Sequence, residues 1–174
     1  MLKEFFQRQS LRKSASTEPT GMMPLSAVRS AVAFIDVEDT SFDECKNALM
    51  TFFREHGIKG EIFFFDFRKL TEGERLITSI TTTVLKKDLN WFGRPSKEKM
   101  NLMLSGEPDM FLSLLPKASY PLEYMAASSR ARFKVGRAQL EGNIFDLVVR
   151  DPAEKQLSEI EAFRGIVRIL AKIV

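Results

Sequence analysis

The residues of this 174-residue chain that could do chemistry fall just after its apolar runs. Lys86, Lys87, Asn90, Trp91 and Arg94 share the polar stretch KKDLNWFGR. Ammonium and guanidinium groups beside an indole can hold a phosphate while the ring stacks on a base or sugar. Asp36 ends the run SAVAFID, Asp66 and Arg68 close EIFFFDF with the residue after it, and Arg137 follows RFKVG. Asp36 and Asp66 together with Arg137 could serve an enzyme acting on an anionic substrate. The plainer reading makes them strand-end acids, favoured by the dipole of the helix that follows, and solvated loop charges. Arg130, Arg132, Lys134 and Arg137 form a further cationic group. Arg132 and Lys134 alternate with Phe133 and Val135, which reads as a charged edge strand protected from pairing with other chains. An anion-binding edge is the alternative.

Several signatures are absent. GxGxxG, GxxxxGK[ST], HExxH and GxSxG do not occur. Without closely spaced glycines after the first strand, no backbone nest approaches a pyrophosphate, which argues against a nicotinamide enzyme or a P-loop NTPase. One cysteine and one histidine exclude an internal disulfide and the usual zinc clusters. Cys45 falls on an apolar helical stripe and reads as a small buried hydrophobe. His56, in Arg-Glu-His-Gly, reads as a cation at a helix end. No cofactor and no metal is expected, and a reducing cytoplasm is the expected compartment.

Composition sets the frame for these residues. A hydrophobic fraction of 44% over this length suits one domain with a substantial core. No apolar run approaches the roughly 20 residues that a membrane span needs, and the N-terminus lacks the apolar centre of a secretory signal. The net charge of +3 resides in residues 1–30, where Lys3, Arg8, Arg12, Lys13 and Arg29 oppose only Glu4 and Glu18. The remaining body is neutral, which argues against a nucleic-acid partner. Residues 1–24 read as a basic helix and a Ser-, Thr-, Pro- and Gly-bearing linker, and residues 25–174 as a single α/β domain. Leu2, Phe5, Phe6 and Gln9 fall along one face of that helix. Phe5, Arg8, Arg12 and Lys13 are its candidate contacts, with a partner groove or, weakly and salt-sensitively, an anionic membrane surface.

The elements that would position these residues alternate. SAVAFID (30–36), EIFFFDF (61–67), TTVL (82–85), MFLSLL (110–115), RFKVG (132–136) and FDLVV (145–149) are the expected strands, continuous apolar runs suited to burial on both faces. Ser41 with Glu44 suggests a capping box for a helix to about His56, followed by Gly57. Thr71 and Glu74 suggest a short capped helix. Further helices are expected near 97–105 and 121–129, and a last one with Asp151, Pro152 and Glu154 as N-cap, N1 and N3. The alternation predicts a three-layer, Rossmann-like or flavodoxin-like, mostly parallel sheet of about six strands with flanking helices, preceded by a short N-terminal helix. The short link between RFKVG and FDLVV is either a helix-free parallel crossover, the preferred reading, or the mark of an antiparallel strand.

Three resemblances bear on function. Asp88-Leu89-Asn90-Trp91-Phe92-Gly93, Phe133-Lys134-Val135-Gly136-Arg137 and the N-terminal Phe5, Arg8, Leu11 and Arg12 resemble a family of small bacterial (Bacteroidota-type) α/β proteins of unknown function. That resemblance implies a cytoplasmic protein of Rossmann-like or flavodoxin-like fold and brings no catalytic residues. MFLSLL…YMAASSRARFKVG is similar, at the level of fold, to the N-terminal half of GT-B glycosyltransferases of the heptosyltransferase kind. The sugar-nucleotide-binding second domain and the Gly-rich loop of that group are missing, so the likeness implies no activity. Asp36-Val37-Glu38 resembles the D-x-D motif of haloacid-dehalogenase-like phosphohydrolases, whose aspartates act around magnesium. Glu38 replaces the second aspartate and no later Asp-Asp pair completes that site.

The sequence therefore leads to a non-catalytic domain that binds a protein or a small anionic ligand. Lys86–Arg94 is its expected recognition surface and the N-terminal helix a second contact. The alternatives are the enzyme built on Asp36, Asp66 and Arg137, and peripheral membrane association through the N-terminal helix.

Overall fold

In the computed structural model, which describes residues 1–71 and 74–174, the run Ser30–Asp36 becomes β1, the centre of the sheet. Ala31 through Ile35 are all buried, because helices cover both faces of the strand and neither face can afford a polar side chain. The other strands are β2 (Lys59–Asp66), β3 (Thr83–Leu85), β4 (Met110–Ser113), β5 (Phe133–Gly136) and β6 (Leu147–Val148). They pair in the order β3-β2-β1-β4-β5-β6, every pair parallel. That order is the Rossmann arrangement rather than the flavodoxin one, with the order reversing between β1 and β4. β5 and β6 are joined by a helix-free parallel crossover.

Side chains alternate between two cores. On one face Ala33, Ile35, Leu112 and Val135 meet α2 (Phe42–Glu55) and α5 (Glu159–Leu170) through Leu49, Phe52, Phe163 and Ile166. On the other face Val32, Phe34, Phe63 and Phe111 meet α3 (Lys97–Met103) and α4 (Tyr120–Ser128) through Met103, Leu122 and Met125. Phe34 is fully buried and stacks on Phe111 at 4.9 Å. Gly136 lets the Phe145 ring lie against β5, since a Cβ there would fall 2.1 Å from it. The N-terminal helix α1 (Leu2–Ser14) packs outside α4 and runs in the same direction. Ser14 Oγ meets the Tyr124 hydroxyl at 2.8 Å, and Ser16 N donates to Ala127 O. The segment after it is strapped down by Gly21 N to Arg132 O and by Thr20 Oγ1 to Asp146.

The structure corrects several local expectations. Ser41 precedes α2 but makes no capping bond with its side chain. Its Oγ donates to Asp39 and accepts from Ile160 N, which ties α2 to α5. The last helix begins at Glu159, where Ser158 and Glu161 form the capping box. Asp151 is unavailable as an N-cap because Arg137 holds its carboxylate, and Pro152 heads a turn closed by Lys155 N. The short helix expected at Thr71 and Glu74 runs through residues 72 and 73, which lie outside the described residues; Thr71 N donates to Glu74 Oε2 and Glu74 N to Thr71 O. β5 is not an edge strand, since β4 and β6 flank it. Lys134 accordingly turns inward, donating to Ala126 O at 2.6 Å, while Arg132 reaches back to Asp109. On α1 the packed side is Phe6, Gln7, Ser10 and Ser14, and Leu2 and Phe5 face solvent, because α4 rather than the sheet is its support.

Candidate functional site

Two regions gather the candidate residues. The first is the carboxyl edge of the sheet at the reversal point between β1 and β4, where open α/β sheets bind ligands. A cleft of about 330 Å³ opens there, lined by Asp36, Glu38, Phe65, Phe67, Lys117 and Gln156 among others. Asp36 is half-buried, and its Oδ1 accepts from Glu38 N at 2.9 Å. Burial raises its carboxyl above the ordinary value, and the neighbouring Glu38, Asp39 and Asp66 add to that, against the Glu38 amide. Beneath it lies Glu159, wholly buried at the first position of α5. One of its oxygens accepts from Asp36 N, and Oε2 has no hydrogen-bond partner among the described residues. Burial pushes this carboxyl up to about 8. Sequence reasoning missed Glu159. The Ser158/Glu161 capping box was its legible signal, since it fixes the start of α5 against the sheet.

The other two members of the expected enzyme site are engaged elsewhere. Arg68 grips Asp66 with Nε and a terminal nitrogen, both at 2.8 Å, and these bonds hold the Asp66 carboxyl below its usual range. Arg137 is buried, and each of its three guanidinium nitrogens donates a hydrogen bond. Nε and one terminal nitrogen bind Asp151 at 2.8 and 2.6 Å, and the guanidinium also reaches Leu114 O and Leu157 O. It pins the ends of β4 and β5 to the approach to α5. Of Asp36, Asp66 and Arg137, only Asp36 lines the cleft. Among the described residues no group of three or more acids, histidines or cysteines is placed to hold a metal ion.

The second region joins what the sequence treats as two. The loop after β3 begins with a 3-10 turn, Lys86–Asp88, and then folds back through a bridge between Leu89 and Pro95. Asn90 staples it: its Oδ1 accepts from Phe92 N and Arg94 N, and its backbone N–H donates to Arg94 O. Gly93 supplies the positive φ of 92° that this return requires. Phe92 is thereby buried, with Arg94 over its ring at 5.8 Å, and Trp91 is left 61% exposed. Onto this loop comes α1. Phe6 meets Trp91 at 5.4 Å and Phe92 at 6.0 Å, and Gln7 donates to Phe92 O at 2.7 Å. Phe5, Arg8, Arg12 and Lys13 remain exposed on the outer side of the helix, and Lys86, Lys87 and Asn90 are exposed on the loop. Helix and loop thus make one surface carrying aromatic rings and cations.

Among the described residues no helix is long and apolar enough to cross a membrane. Comparison with curated proteins finds no match, and neither does comparison with solved structures. The model of the family of unknown function DUF6913 matches residues 3–163, a span that takes in the six strands β1 to β6 and all but the first residue of α1. The chain belongs to that family.

Proposed function

We propose that this chain is a non-catalytic binding domain of the cytoplasm whose recognition surface is made jointly by α1 and the Lys86–Arg94 loop. The observation that carries this reading is the contact of Phe6 with Trp91, which fixes an indole in place while leaving it 61% exposed. A rigid, exposed tryptophan beside arginines is the side-chain set that dominates binding interfaces. Cations around it favour an anionic partner, and Cys45, free and buried, suits a reducing compartment. Trp91 is the only tryptophan, so its emission reports this surface alone. Titration with nucleotides, phosphorylated metabolites, acidic peptides and anionic lipid vesicles is expected to give a saturable change with one of these classes of anion, weakened by Lys87→Ala. A wild-type Trp91 that responds to no anionic partner would end this reading.

A second reading, an enzyme acting on an anionic substrate, is favoured by the cleft at the strand reversal. Lys117 and Ser119, the N-cap of α4, line this cleft together with Asp36, whose raised pKa suits proton transfer. Turnover of a phosphorylated or nucleotide-sugar substrate that is lost in Asp36→Asn and kept in Trp91→Ala would favour it over the first.

A further inference from the structure

Resting on the α1–loop surface proposed above, we infer that its partner is an anionic lipid bilayer, on which the N-terminal end of α1 and Trp91 dock as one prefolded anchor. The apolar groups there protrude instead of lining a groove. Leu2 and Phe5 are 67% and 60% exposed, Met1 is fully exposed, and Trp91 lies next to them through Phe6. A partner helix would need an apolar trough to receive its ridge, whereas separate protruding rings and aliphatic tips are what enters the boundary between headgroups and acyl chains. Tryptophan in particular settles at that boundary, its ring apolar and its N–H wet.

The charges around these tips complement phosphate headgroups. Arg8 and Arg12 follow Phe5 at three and seven residues, on the same outward side of α1, and both are exposed. Lys3 and Lys13 on the helix and Arg94 on the loop add to them, with Glu4 the one acid on α1. Helices that lie in a membrane surface usually fold as they bind and lose affinity to that ordering. Here the inner side of α1 is already held by Gln7 to Phe92 O, Ser14 to Tyr124 and Ser16 N to Ala127 O. The anchor is presented in its bound form, so a small contact can suffice.

The test uses the full chain with vesicles of phosphatidylcholine alone or mixed with phosphatidylglycerol, read by Trp91 emission and by sedimentation. A blue shift and pelleting are expected with the mixed vesicles only, fading as salt is raised. Phe5→Ala and the pair Arg8→Ala with Arg12→Ala should each weaken binding by about tenfold while leaving the circular dichroism unchanged, since these side chains are exposed. Inorganic phosphate and glycerol phosphate separate a headgroup from a free anion; if either alone reproduces the spectral change, the bilayer is overturned. No response to vesicles but a saturable response to an acidic peptide overturns the bilayer and leaves the surface reading standing. Silence towards vesicles, phosphates and acidic peptides alike overturns both.

Discussion

Phe6 stands edge-on to Trp91, ring centroids 5.4 Å apart and planes at 74°, and this contact joins the first helix to the loop after β3. Edge-to-face pairs add about 0.5–1.5 kcal/mol beyond the area they bury. Phe6→Ala should therefore cost about 2 kcal/mol of stability once the packing on Phe92 is included. It should also release α1 from the loop. The expected readout is a lowered midpoint in denaturant together with a change in Trp91 emission in the native state. Loss of stability with unchanged emission would mean that the loop holds its shape without the helix.

Glu159 makes the fold sensitive to pH in an uncommon direction. Its carboxyl rises from an ordinary value of 4.5 to about 8 on folding, chiefly through burial. The folded chain then binds a proton that the unfolded chain releases, so stability is full below about pH 4.5 and declines as pH rises towards 8. Glu159→Gln keeps an oxygen for Asp36 N and removes the titration. It should flatten that decline and gain on the order of a few kcal/mol near pH 8. Unfolding free energies of both proteins at several pH values decide it; parallel curves would refute the assignment.

Arg137 and Asp151 contribute with the opposite sign. The guanidinium holds the Asp151 carboxyl below its usual range, first through the direct hydrogen bonds. A depressed carboxyl stabilises above its unfolded pKa and loses that contribution as pH falls through the folded one. Arg137 is 1% exposed in its side chain, so Arg137→Ala strands the Asp151 carboxylate and the Leu114 and Leu157 carbonyls, at about 3–5 kcal/mol. Arg137→Met combined with Asp151→Leu should cost distinctly less than the single change, because no unpaired charge remains. Thermal unfolding of the set, near neutral and near pH 3, separates these outcomes.

These residues also show what the sequence makes legible. The strands could be read because a strand covered on both faces must be a continuous apolar run, and SAVAFID and EIFFFDF are such runs. Asp36 could be placed at the sheet's carboxyl edge for the same reason. Arg137 and Lys134 looked like surface cations because a run of basic residues does not reveal which has a buried acceptor. The acceptors, Asp151 and the Ala126 carbonyl, belong to other elements. Asp151 misled in turn: Asp-Pro is a good helix start locally, and only a tertiary ion pair diverts it. The union of α1 with the Trp91 loop was likewise out of reach, since Phe6 shows an apolar face without naming what covers it.

Asn90 offers the closest test of how the recognition surface is built. Its side-chain oxygen receives the amides of Phe92 and Arg94, at 3.2 and 2.9 Å, so it shapes the loop from within while its residue surface is exposed. A direct ligand contact and a positioning role predict different outcomes. Asn90→Asp retains the acceptor and should preserve Trp91 emission, stability and partner binding. Asn90→Ala leaves two amides unreceived, costs about 1–2 kcal/mol, and frees the turn that Gly93 closes. Binding should fall with it even though no cation or ring has been removed. If Asn90→Asp abolished binding while Trp91 emission stayed native, the amide nitrogen would be touching the partner and the positioning account would fail. If both variants bound normally, the loop would owe its shape to Gly93 and the Leu89–Pro95 bridge instead, and Gly93→Ala, strained at a φ of 92° and tight against Tyr120 at 3.3 Å, would be the variant that loses binding.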